Sequence, residues 1–240
     1  MELIVWFSDS YVESISIRCL FFMRLLKYCK VEFSPRWIVM PQDAKSLHLE
    51  LRQVPLLREN EKIFSSTEII QLCKDSAHRN NICLIPEMNS LATRILFEWS
   101  TTNLVGLYTS ILCTEEKVKE RIFKDYTKIY DGLTEEKLNL ISKTMLTLNS
   151  QVEDISYMAN QKKELALELL TGFDNHLKNS TFWLGEEISI VDFSLFSFCY
   201  QLYNPQLCFF RDFIKDSEYL FPWMKKLDQL SRHEYSKMKV

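Results

Sequence analysis

The sequence predicts two domains, an α/β domain followed by an all-helical one. Three observations carry this. The chain has 240 residues, more than a single domain usually holds. Its candidate strands all lie before residue 65, each a short apolar or β-branched run bounded by polar turn residues. Beyond Pro86 the apolar residues recur at helical spacing throughout. The expected boundaries are 1–76 for the α/β domain, 77–87 for a linker and 88–240 for the helical domain.

The first run, Leu3-Ile4-Val5-Trp6-Phe7, stops at Ser8-Asp9-Ser10 and reads as a buried strand. Ile15, Cys19, Phe22, Leu26 and Cys29 then step by three and four, which places them on one face of a helix. Trp37-Ile38-Val39 is a second strand, ended by Met40-Pro41, and Gln42 to Leu51 has weak helical character. Val54-Pro55-Leu56-Leu57 and Lys62-Ile63-Phe64 flank the polar Arg58-Glu59-Asn60-Glu61, the pattern of a hairpin. Ser65 with Glu68 three residues on forms a capping box, so a helix starts there. From Asp75 to Glu87 the chain turns polar and reads as the link between domains.

In the second part, Leu138, Ile141, Met145, Leu148, Val152 and Ile155 form a stripe that predicts a long core helix. Leu165, Leu169, Phe173 and Leu177 repeat the pattern. The charges from Glu115 to Arg121 read as a solvated helix face.

Composition narrows the function classes. Hydrophobic residues make up 47% and charged residues 25%, as in a globular protein with a real core. A formal net charge of -3 leaves no broad basic field for nucleic acid or anionic lipid. Seven cysteines, an odd number, lie far apart with no C-x-x-C pair, which predicts buried reduced thiols in the cytoplasm and neither a disulfide scaffold nor a zinc site. The four histidines show no metal-ligand spacing. No run approaches the ~20 apolar residues of a membrane span, and the start of the chain lacks the features of a secretory signal.

Two motifs resemble the glutathione transferase superfamily. Gln53-Val54-Pro55-Leu56-Leu57, followed after the turn by Phe64-Ser65-Ser66-Thr67-Glu68, is similar to its Val-Pro hairpin and the acidic-Ser start of the helix behind it. Gly185-Glu186-Glu187-Ile188-Ser189-Ile190-Val191-Asp192-Phe193 resembles its buried capping motif, with Ser189 at the N-cap, Asp192 at N3, and Ile188 and Phe193 as a hydrophobic staple. Phe221-Pro222-Trp223 resembles the start of its late helix. The resemblance implies a thioredoxin-like N-terminal domain, an all-helical C-terminal domain and a cis Val54-Pro55 bond, although an X-Pro bond is cis in only roughly 5% of folded cases.

The resemblance also implies a site. Gln53 and Val54 would hold the glutathione backbone, and Ser65 and Ser66 its γ-glutamyl end. A helix start suits that carboxylate because free N-H groups and the positive dipole end converge there. A hydroxyl near the end of the first strand would donate to the glutathione sulfur and favour its thiolate. An ungapped count from Arg18 selects Tyr11; a count from the strand selects Ser10; Ser8 and Ser14 are further candidates. Trp99, Asn103 and Tyr108 are candidates for an electrophile pocket or for core. The expected protein is a homodimeric glutathione transferase with glutathione as co-substrate, a small electrophile as second substrate, and no metal. The alternative is a non-catalytic protein-binding member of the fold, as in metaxins, the stringent starvation protein and the elongation factor gamma subunit. Ser65 stands where the family has an acidic residue, which takes one partner from the γ-glutamyl amino group.

Overall fold

Leu3, Ile4 and Val5 are a continuous apolar run because β1 (Glu2–Trp6) is an interior strand of a four-stranded sheet and is covered on both faces. The computed structural model describes residues 1–6, 14, 16–38, 47, 54–84, 91–114, 120, 134, 136, 155–205 and 207–232. β2 (Ser34–Ile38) runs parallel to β1, with Val5 opposite Trp37. β3 (Leu56–Glu59) runs antiparallel on the other side, with Leu3 opposite Leu57, and β4 (Lys62–Phe64) completes the expected hairpin. The order is β2-β1-β3-β4. The strand β2 begins earlier than the apolar run Trp37-Ile38-Val39 suggests. Pro35 lies inside it, which an edge strand tolerates because, among the described residues, one side of its ladder has no partner.

Parallel β1 and β2 need a crossover, and α1 (Ile17–Tyr28) supplies it. Ser16 caps the helix, its hydroxyl accepting from the Cys19 amide at 3.4 Å. At the other end Lys30 takes φ 55°, and the Val31 amide reaches back to the Leu26 carbonyl at 2.9 Å, closing a Schellman motif with lysine in the usual glycine place. The one-sided stripe expected for this helix understates its burial. Phe21, Phe22, Met23, Arg24 and Leu25 are consecutive and all buried, because the sheet covers one side and the helical half covers the other.

The helix α2 (Ser66–Arg79) begins at the predicted capping box and runs past residue 76 into the segment read as a linker. The helical half follows: α3 (Leu91–Thr114), α4 (Ile155–Leu177), α5 (Ile190–Leu202), α6 (Cys208–Asp216) and α7 (Leu220–Ser231). α5 is buried at every position from Ile190 to Cys199 and packs on both α1 and α3. On α4 the inward face is Ala166, Leu170, Phe173 and Leu177, so the expected stripe is displaced at its start, with Leu165 41% exposed. The stripe from Leu138 to Val152 lies outside the described residues.

The second capping box is built as the sequence predicts and does more than cap. The Asp192 carboxylate accepts from the Ser189 amide at 2.9 Å and hydroxyl at 2.6 Å, from the Trp183 amide at 2.8 Å and from the Trp223 indole at 3.1 Å. Burial pushes its pKa up and these donors oppose that rise. Gly185, with φ 123°, closes the turn that returns Trp183 to this carboxylate, a backbone angle that L side chains rarely adopt.

One core runs through both halves. Arg24 of α1, fully buried, pairs with Asp228 of α7 at 2.9 Å, and its guanidinium lies 5.3 Å from the Phe196 ring and 5.0 Å from that of Tyr200. Tyr28 donates to the Cys83 carbonyl at 2.6 Å, and burial pushes its pKa up to about 12. Cys19, Cys29, Cys73 and Cys199 are buried free thiols, while Cys83 and Cys208 are exposed. Among the described residues no helix is long and apolar enough to cross a membrane.

Candidate functional site

The hairpin and the helix after it carry the residues that match the first motif. The Val54-Pro55 bond is cis, and both residues are buried just ahead of β3. Gln53 lies outside the described residues.

At that helix start the two serines divide the work. Ser65 caps: its hydroxyl accepts from the Glu68 amide at 3.3 Å, and its own amide and hydroxyl donate to Glu68 Oε2 at 2.8 and 2.9 Å. These bonds from the Ser65 backbone and side chain hold the exposed Glu68 carboxyl below the usual carboxylate range. Lys62 Nζ stands 4.0 Å from the other oxygen of Glu68. Ser66 is half-buried, and among the described residues nothing is bonded to its hydroxyl or to the amides of Ser66 and Thr67. Those amides belong to the first helical turn, where no carbonyl of the helix can reach them.

The strand end opposite this helix start is pinned from both sides. Ser14 is buried, its hydroxyl donating to the Trp6 carbonyl at 3.0 Å and accepting from the Ser16 amide at 3.2 Å. A hydroxyl so engaged is a backbone clamp, which removes Ser14 from the candidates for the thiol partner. Cys19 accepts from the Trp6 amide at 3.4 Å, and burial raises its pKa, so it stays a thiol. Tyr11, Ser10 and Ser8 lie outside the described residues, between the pinned positions Trp6 and Ser14.

The three helical candidates separate. Tyr108 is core, buried and donating to Gln201 Oε1 at 2.9 Å. Trp99 is half-buried against the core, and Asn103 is exposed, accepting from Thr102 at 2.9 Å. Among the described residues no three His, Cys, Asp or Glu side chains come together as metal ligands. Two connections had no signal in the sequence: Arg24 with Asp228, and the Gln201 amide donating to the Ser14 carbonyl. Each joins residues about two hundred positions apart, beyond any local pattern.

Residues 158–233 match the family model described as the C-terminal domain of glutathione S-transferase. A glutathione S-transferase of Ceriporiopsis subvermispora, solved in complex with glutathione, superposes with a TM-score of 0.63 at 13% identity, covering 98% of this chain and 97% of that one. A glutathione transferase of Phanerochaete chrysosporium gives 0.63 at 11% identity, covering 97% and 98%. A class Gtt2 glutathione S-transferase of Vibrio parahaemolyticus gives 0.53 at 14% identity, covering 95% and 93%. No curated protein matches the chain in sequence. Residues 158–233 thus match the family's C-terminal domain, and the chain has the glutathione transferase fold along nearly its whole length.

Proposed function

We propose that the chain is a cytoplasmic glutathione transferase that binds glutathione at the start of α2 and activates its thiol for attack on a small electrophile. One observation carries the reading: at the start of α2, the helix that follows the Val54-Pro55 hairpin, Ser65 is occupied in capping while Ser66 and the amides of the first turn are open among the described residues. That arrangement is a carboxylate receptor with a charge-assisted hydroxyl donor. Ser66 takes the γ-glutamyl carboxylate, and the backbone at Val54 and Gln53 takes the cysteinyl part. Glu68, held against Ser65, places a negative charge where the family's acidic residue is missing, and so faces the γ-glutamyl ammonium.

Tyr11 or Ser10 donates to the sulfur. The thiol loses its proton to solvent, the thiolate pair forms the new carbon–sulfur bond, and the electrophile's leaving group departs with its electrons. Division at residues 77–87 separates the glutathione-binding part from the helical part that carries the electrophile pocket. Trp99 is half-buried at the edge of the core and is a candidate wall for that pocket.

Calorimetric titration with glutathione tests the reading. Ser66→Ala removes one bond to a charged group, roughly 1.5 to 3 kcal/mol, so affinity falls about tenfold to a hundredfold with stability nearly unchanged. Equal affinity in the variant takes Ser66 out of the site.

Leu91 and Ile95, one turn apart on α3, are 74% and 58% exposed, and Ile63 on β4 is 51% exposed. These side chains favour a homodimer interface. They also suit the second reading, a binding module for another protein. A dimer by light scattering supports the first; a monomer that binds no glutathione supports the second.

A further inference from the structure

Between α5, α6 and α7 the helical half holds a cavity of about 370 Å³, within the roughly 300 to 1,000 Å³ typical of small-molecule sites. Met224 and Asn204, both buried, lie at its floor, and the exposed Lys225 and Arg232 stand at its rim. One wall is aromatic: the Tyr203 and Phe221 rings are 5.5 Å apart and tilted by 35°. Lys225 Nζ lies 4.3 Å from the centre of the Phe221 ring, so a cation stands beside that wall. Among the described residues, this lining shares none with the α2 start and does not include Trp99.

The cavity carries a surplus of positive charge. Among the described residues that line it, Asp228 is the only carboxylate, and it is held by Arg24 at 2.9 Å and by Arg232 at 2.6 Å. Two guanidiniums on one carboxylate leave that corner cationic. Arg211 is matched by Asp212 at 2.7 Å and adds nothing to the balance. Lys225 pairs with no carboxylate among the described residues, its ammonium resting on Phe221 instead. An anion that enters meets Lys225 without breaking an ion pair.

We propose that this cavity binds a small aromatic anion, a carboxylate or sulfonate carried on a flat ring. The ring lies against Tyr203, Phe221 and the Met224 thioether, surfaces that favour an aromatic partner over an aliphatic one. The anionic group takes the Lys225 ammonium, which exchanges its contact with the Phe221 face for a charge-assisted bond. A neutral ring forfeits the charge, and an aliphatic anion forfeits the ring contacts. The site is separate from the start of α2, so the proposal does not rest on the glutathione transferase reading.

Calorimetric titration of the full chain with 2-naphthoate tests this, beside the neutral 2-naphthylmethanol and the aliphatic decanoate. Saturable binding of 2-naphthoate is expected, with the alcohol and decanoate each weaker by about fivefold or more. Lys225→Gln, a change at an exposed position, should weaken 2-naphthoate about fivefold and leave the alcohol unchanged, the scale of a charge pair open to solvent. Phe221→Leu, with its urea midpoint measured alongside, should weaken both aromatic probes about fivefold and leave decanoate unchanged. Saturating glutathione should not alter the affinity for 2-naphthoate. Failure of 2-naphthoate to saturate, or equal affinity in the wild type and Lys225→Gln, overturns the proposal. Decanoate bound as tightly as 2-naphthoate overturns the aromatic assignment, and competition with glutathione overturns the separate site. A chain that binds no glutathione but keeps Lys225-dependent binding of 2-naphthoate loses the transferase reading and retains this site.

Discussion

Asp192 accepts a hydrogen bond from the Trp223 indole at 3.1 Å, joining the first turn of α5 to the first turn of α7 inside the core. The same carboxylate takes three further donors from Ser189 and Trp183. Its two oxygens therefore organise the turn from Phe182 to Ser189, the start of α5 and the seat of α7.

Asp192→Ala consequently costs more than an ordinary lost cap, which is worth about 1 kcal/mol. Each buried donor left without an acceptor costs about 1 to 3 kcal/mol, so a loss of at least about 3 kcal/mol is expected. Urea unfolding measures it. A midpoint shifted by no more than a cap's worth would show that the Trp183 and Trp223 donors find other partners.

The pair Arg24–Asp228 is asymmetric. Asp228 also holds Arg232 at 2.6 Å, so Arg24→Met leaves the carboxylate with a cation and replaces a buried charge by an apolar chain of similar length. Asp228→Ala takes the carboxylate from a guanidinium that solvent does not reach. Breaking a buried pair from that side costs about 3 to 5 kcal/mol, whereas apolar replacement is often close to neutral. Asp228→Ala is therefore expected to unfold at clearly lower denaturant than Arg24→Met. The reverse order would mean that the Phe196 and Tyr200 contacts outweigh the ion pair.

Glu68 gives the chain an acid-sensitive helix start. Its folded pKa is lowered by the Ser65 bonds, so its contribution to stability is present above the ordinary glutamate value of about 4.3 and is lost as pH falls through the folded value. Ser65→Ala should move the Glu68 carboxyl signal, followed by NMR against pH, up toward the ordinary range. An identical titration in the variant would mean that the capping box does not set this pKa.

The features legible in the sequence are those encoded over a few residues. Ser65 with Glu68 and Ser189 with Asp192 announce both capping boxes at spacing three, and the hairpin is flanked by two short apolar runs. The features that were not legible depend on the other half of the fold. Leu165 and Ala166 are adjacent and both apolar, and only the neighbouring helices select Ala166 as the inward residue. Arg24 looks like a surface charge until Asp228 arrives from α7. Ser14 reads as a possible catalytic hydroxyl until the Trp6 carbonyl claims it. At the candidate site the order of residues at the α2 start is readable, but the division between a capping Ser65 and an open Ser66 needs the geometry.

Thiol activation is the claim on which the functional account stands, and the ultraviolet absorbance of the bound thiolate against pH measures it directly. Bound glutathione is expected to ionise at least about one pH unit below the free thiol, equivalent to about 1.36 kcal/mol of thiolate stabilisation. Either Tyr11→Phe or Ser10→Ala should return it toward the free value, and the one that does so identifies the donor. A bound thiol that ionises like the free one in the wild type, or that is indifferent to both substitutions, would contradict the account and leave the fold serving as a binding module.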